Sequence, residues 1–172
     1  LSKDYIPNFS EANCLYHNNG DGTFTDVAAS AGVDDTQKAR GIAWGDYDKD
    51  GYPDALVSGN SPEGTISRIY RNNGNSTFTW QAGISLSGIN DGAVAWGDYN
   101  NDGFLDILLT GYTGSSYISK IYQNTATGNF TDVPGLTLTG IGYGFVKWGD
   151  YDNDNDLDIC MTGNYASGYL SK

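Results

Sequence analysis

One histidine, two cysteines and nine basic residues in 172 positions remove several functions before any motif is read. A Ser-His-Asp triad needs a buried imidazole with an orienting carboxylate, and a zinc site draws on several His or Cys. His17 stands alone and falls at the exposed end of a strand. Cys14 and Cys160 are too few for a disulfide framework. Nine Lys and Arg against 21 Asp and Glu give a formal charge of −12, which argues against nucleic acid or an anionic membrane surface as partner. No apolar run approaches the length of a membrane-spanning helix, and no stretch sustains apolar residues at helical spacing. The chain starts at Leu1 with no signal peptide, as expected of a processed, trimmed or excerpted sequence.

What is abundant is glycine, with 24, and tyrosine, with 13, in a chain that is 38% hydrophobic. That composition suits one all-β unit with many tight turns and a real core. The acidic residues are concentrated in one loop that occurs three times at a spacing of 52 residues, after Trp44-Gly45, Trp96-Gly97 and Trp148-Gly149. Its candidate ligands are Asp46, Asp48, Asp50 and Asp54; Asp98, Asn100, Asp102 and Asp106; and Asp150, Asp152, Asp154 and Asp158. Side-chain oxygens at loop positions 1, 3, 5 and 9 can converge on one hard cation. A backbone carbonyl at position 7 (Tyr52, Phe104 or Asp156) completes an oxygen set suited to Ca²⁺. About three Ca²⁺ are expected, one per loop, bringing the net charge to about −6. Glycine at position 6, with Asn155 in the third copy, fits a turn that needs positive φ.

An EF-hand would place a bidentate Glu at position 12 and a helix on either side. Position 12 here is Val57, Leu109 or Met161, inside a short apolar strand, so that motif is excluded. A metal-free acidic turn is the competing explanation; repulsion among clustered carboxylates counts against it.

Each repeat reads as four strands, with the acidic loop between the first and second and an Asn-rich hairpin between the third and fourth. Four antiparallel strands with the inner two most apolar describe a propeller blade. The expected fold is an all-β propeller segment over 1–172 of about three blades: a half blade at 14–27, blades at 41–80 and 93–133, and a half blade at 145–172. Either a longer chain or blades shared between identical chains, as a homo-oligomeric ring or a filament, would protect the open edges. Cys160 aligns with Leu56 and Leu108, core strand positions, and is expected to be a buried free thiol rather than half of a disulfide. The repeated tryptophans are expected to pack blades. Asn8, Asn75 and Asn129 begin Asn-x-Ser/Thr sequons.

Trp-Gly-Asp-Tyr-Asp-x-Asp-Gly-x-x-Asp, followed by Tyr-x-Asn-Asn-Gly and Thr-Phe-Thr, resembles the FG-GAP/VCBS repeats of integrin-α-type propellers and bacterial surface proteins. The resemblance spans nearly all of 14–172 and implies Ca²⁺ held by the side chains named above, with Asn100 and Asn155 as departures. Calcium loops of this sort work best where Ca²⁺ is plentiful, so an extracellular or cell-surface address is expected.

Every dense carboxylate cluster belongs to this pattern, leaving no pair for glycoside hydrolysis, and no enzyme is expected. Recognition or adhesion is the expected role, with a protein or carbohydrate ligand and neither nucleic acid nor membrane insertion. The rim opposite the acidic loops carries Tyr112, Tyr117, Tyr143, Tyr165 and Tyr169 as candidate ligand-binding residues or, equally, as packing between blades.

Overall fold

The computed structural model describes residues 12–35, 38–165 and the backbone of 168–171. Strands β1 (Tyr16–Asn18) and β2 (Phe24–Asp26) form a hairpin, followed by a single helical turn, α1 (Ala28–Ala31). Two four-stranded sheets follow: β3 (Lys38–Gly45), β4 (Asp54–Ser61), β5 (Gly64–Asn72) and β6 (Phe78–Trp80); then β7 (Asn90–Gly97), β8 (Asp106–Tyr112), β9 (Tyr117–Asn124) and β10 (Phe130–Asp132). The last sheet has three strands among the described residues, β11 (Gly142–Gly149), β12 (Asp158–Tyr165) and β13 (Gly168–Ser171). All pairings are antiparallel and strand order follows the chain, so the protein is an all-β array of propeller blades.

Register is the same in every unit. Gly45, Gly97 and Gly149 pair with Asp54, Asp106 and Asp158, which fixes the width of each acidic loop. Tyr16, Tyr70 and Tyr122 each pair with the residue at the end of the following outer strand, so β1–β2 repeats the outer half of a blade.

The core lies between the sheets. Leu56, Ile69, Ile89, Val94 and Leu109 fill the first gap, and Leu108, Ile121, Ile141, Val146 and Met161 the second. Strands β4 and β8 are covered on both faces, which is why their sequences are continuously apolar rather than alternating. A fully buried Leu or Ile contributes roughly 1.5–3 kcal/mol, so these two seams are the main source of cohesion. Cys160 departs from the expected burial: it is exposed, as is Cys14, and both thiols are free. Leu56 and Leu108 point into seams filled by the next sheet, whereas Cys160 shares with its partner Lys147 a face that no described sheet covers.

Trp96 and Trp148 are joints of the array, whereas Trp44 departs from the expected role, being 48% exposed and resting on Phe78 of its own sheet. Trp96 stacks on Tyr47 of the preceding unit with centroids 6.0 Å apart and planes 4° from parallel. Its indole N–H donates to the Ala43 carbonyl at 3.3 Å. A Cβ on Gly45 would stand 2.8 Å from its Cδ1, so glycine is required for the ring to lie flat there. Trp148 repeats the arrangement on Gly97 and on Tyr99, at 6.4 Å and 14°. At Gly149 no described residue takes that seat: Tyr151 is 81% exposed, and among the described residues nothing lies within 4 Å of where a Cβ on Gly149 would be.

Candidate metal centres

Each acidic loop is folded by its own carboxylates. In the first, Asp46 accepts the amides of Asp50 (3.1 Å) and Gly51 (2.9 Å), Asp48 accepts Asp50 N–H (3.3 Å), and Asp50 accepts Tyr52 N–H (3.0 Å). The second loop repeats the pattern through Asp98, Asn100 and Asp102, and the third through Asp150 and Asp154. Position 6 has positive φ in every copy, 89° at Gly51, 84° at Gly103 and 71° at Asn155. Position 4 does too, at Lys49, Asn101 and Asn153, and the first two reach along the rim. Lys49 Nζ sits 3.9 Å from the Phe104 ring centre, and Asn101 donates to Asn155 O and Asp156 Oδ1 at 3.2 and 3.0 Å.

Position 9 is the anchor. Asp54 and Asp106 are fully buried, and each accepts two backbone amides from different parts of its sheet. Asp54 takes Tyr47 N–H (3.2 Å) and Asn72 N–H (2.7 Å); Asp106 takes Tyr99 N–H (3.1 Å) and Asn124 N–H (2.8 Å). Burial pushes both carboxyl pKa values up to about 6, and those same amides pull the other way. Asp158 keeps the contact with Tyr151 N–H at 3.1 Å. Asn124 adds a link between units, donating from Nδ2 to Tyr47 O at 2.9 Å and Leu105 O at 3.3 Å.

The donor set suits a hard divalent cation. Carboxylate oxygens of Asp46, Asp48 and Asp50 lie within 4.8 Å of one another, as do those of Asp150, Asp152 and Asp158. Like charges held this close are costly without a counter-charge, and oxygen-only donors are what Ca²⁺ accepts. The second loop has an amide at position 3, Asn100, which donates to Asp102 Oδ2 at 2.9 Å. Backbone N–H of Phe104 and the Asn100 amide hold the Asp102 carboxyl below its usual range. Sequence reasoning overlooked Arg71. Its Nε and Nη2 each lie 2.5 Å from a carboxylate oxygen, of Asp48 and Asp50 respectively.

On the opposite rim the tyrosines are divided. Tyr112 and Tyr117 face each other with centroids 5.3 Å apart, and the Tyr112 hydroxyl donates to Gly114 O. Tyr117 abuts Gly142 of the next sheet, and Tyr165 packs against the second core seam. Tyr143 stands apart from them, 60% exposed. Its neighbours there were not anticipated: Tyr143 lies beside Asp91, which pairs with Arg40 at 3.1 Å. Arg40, Asp91 and Tyr143 all lie in the register shifts of the first strands β3, β7 and β11, where a bulge re-aims a side chain. They line a cleft of about 450 Å³ together with the inner edges of those strands. The side chain of Tyr169 and the sequon at Asn8 lie outside the described residues.

Comparison with known sequences identifies the repeat. The profile of the FG-GAP-like repeat matches residues 5–57 and 56–109. Cartilage acidic protein 1 of Homo sapiens is 30% identical over 178 residues, covering 92% of this chain and 25% of that protein. The proteins of that name from Mus musculus and Xenopus tropicalis are 51% and 47% identical over 57 residues, 33% of this chain and 9% of theirs. The chain thus spans a quarter or less of the relatives it matches.

Proposed function

Because this chain belongs to the FG-GAP-like repeat family, we propose that it is a Ca²⁺-stabilised propeller module for extracellular recognition or adhesion, with no catalytic role. The observation that carries this reading is the repeated loop, whose carboxylates converge within 4.8 Å in the first and third copies while its turn is held by their bonds to backbone amides. Side chains of Asp46, Asp48, Asp50 and Asp54, of Asp98, Asn100, Asp102 and Asp106, and of Asp150, Asp152, Asp154 and Asp158 would hold the ions. The carbonyls of Tyr52, Phe104 and Asp156 would complete the sets. The cation supplies charge neutralisation there and no reaction step. The relatives' names place them in cartilage and mark them as acidic, as this chain is, which supports an extracellular address.

Calorimetric titration of Ca²⁺ into chelator-treated protein is the direct test. Binding of about three ions, abolished at one loop by Asp150→Asn with Asp152→Asn, is expected; no heat at millimolar Ca²⁺ would refute the metal assignment. Ligand recognition is assigned to the tyrosine rim, with Tyr143 the most accessible of its described rings. Tyr143→Ala should weaken capture of a protein or glycan from an extracellular array at least tenfold and leave Ca²⁺ binding intact. A second reading is assembly of identical chains through their end sheets, which would cover the exposed Phe145 and Tyr151. Light scattering in Ca²⁺ and in EDTA separates it from a monomeric binding module.

A further inference from the structure

The first loop already holds a cation that the chain itself supplies. Of the six carboxylate oxygens on Asp46, Asp48 and Asp50, four accept backbone amides. The remaining two, Asp48 Oδ2 and Asp50 Oδ2, are the ones that Arg71 engages, from Nε and Nη2 at 2.5 Å each. The guanidinium fork spans loop positions 3 and 5 as a bidentate clamp. At the equivalent place beside the second loop stands Gln123, a neutral amide near Asp102. Among the described residues no ion pair reaches Asp150, Asp152 or Asp154.

We infer that Arg71 is a built-in competitor for the first metal centre: it fills that loop in the absence of Ca²⁺ and must be displaced before the ion can bind. The inference rests on the assignment of the loops as Ca²⁺ sites. A divalent ion needs the outward oxygens of positions 3 and 5, and a guanidinium cannot share them with it at bonding distance. Two charge-assisted hydrogen bonds are lost on exchange, and a +1 charge remains nearby to oppose the incoming ion. The displaced side chain has somewhere to go. Arg71 borders a cleft of about 480 Å³ lined by Gln81, Gly83 and the Ala126–Asn129 hairpin. The first centre therefore binds Ca²⁺ more weakly than it would without Arg71. Arg71 is 38% exposed, so solvent screens the pair and the effect is modest: about tenfold in affinity.

Nuclear magnetic resonance resolves the loops individually. The Gly51, Gly103 and Asn155 amides each donate to the first aspartate of their own loop and report on it. In a Ca²⁺ titration of the chelator-treated chain, Arg71→Gln should lower the Gly51 midpoint about tenfold and leave the Gly103 midpoint where it was. Arg71→Lys keeps the charge but not the fork, and its Gly51 midpoint should fall between the two. A Gly51 midpoint that is the same in wild type, R71Q and R71K, with Gly103 and Asn155 responding normally, overturns the competition and leaves the Ca²⁺ assignment standing. Silence of all three amides at millimolar Ca²⁺ overturns both.

Discussion

Glycine follows tryptophan in every repeat, and the joints between sheets predict what an added methyl would do at each. At Gly97 a Cβ would stand 2.5 Å from Cδ1, 2.7 Å from Nε1 and 2.8 Å from Cγ of Trp148. Ordinary contact needs roughly 3.5–4 Å, so the indole must retreat by about 1 Å. The ring is rigid and lies parallel to Tyr99, so relief disturbs the stack as well. Overpacking of this kind costs about 1–3 kcal/mol, and a stacked indole belongs in the upper half of that range. Gly149 has the same place in the motif but nothing within 4 Å, and its backbone does not require positive φ. Alanine there should be neutral, or stabilising by about 0.5 kcal/mol through the unfolded chain. Urea unfolding followed by circular dichroism, with unchanged m-values, is the appropriate assay. At this length a loss of about 2–3 kcal/mol lowers Tm by about 4–12 °C. Equal stability of Gly97→Ala and Gly149→Ala, within about 0.5 kcal/mol, would refute the idea that each tryptophan is seated on the glycine of the unit before it.

Other consequences can be checked on the same material. Asp54 and Asp106 have folded pKa values of about 6, above the roughly 3.9 of an unfolded aspartate, so between those values the native state binds more protons. In chelator, stability should therefore rise as pH falls from 7 towards 5, by at most about 3 kcal/mol per group. With Ca²⁺ bound the carboxylates are held ionised and this gain should vanish; the same pH profile with and without Ca²⁺ would mean that neither residue contacts the ion. Asn124→Ala removes the amide that bridges Tyr47 O and Leu105 O at a site 1% exposed, and should cost about 1–3 kcal/mol. Asn72→Ala, at a wetter position, should cost less than half as much in the same urea assay.

Much of this was legible in the residues. The acidic loops, the apolar second strands and the Asn-rich hairpins are local patterns with a constant period, and strand pairing follows from them. What stayed hidden depends on neighbours distant in sequence. The bulges carrying Arg40, Asp91 and Tyr143 add residues without disturbing the apolar pattern, so strands β3, β7 and β11 read from sequence as starting later than they do. The position of Cys160 in its strand predicts burial, but burial is decided by whether another sheet covers that face. Arg71 is 21 and 23 positions from the two carboxylates it clamps, and the clue was available: the residue at that place changes from Arg to Gln between repeats.

The two amides gripping each buried position-9 carboxylate come from opposite sides of the loop, one from position 2 and one from the hairpin 18 residues later. Such a clip shapes the turn before any ion arrives. Binding would then cost little ordering entropy, and affinity would be set by charge and by competing cations rather than by folding. Removing Ca²⁺ should consequently behave as ligand release from a standing scaffold: a lower melting temperature that depends on ion concentration, with the strand signal intact at room temperature.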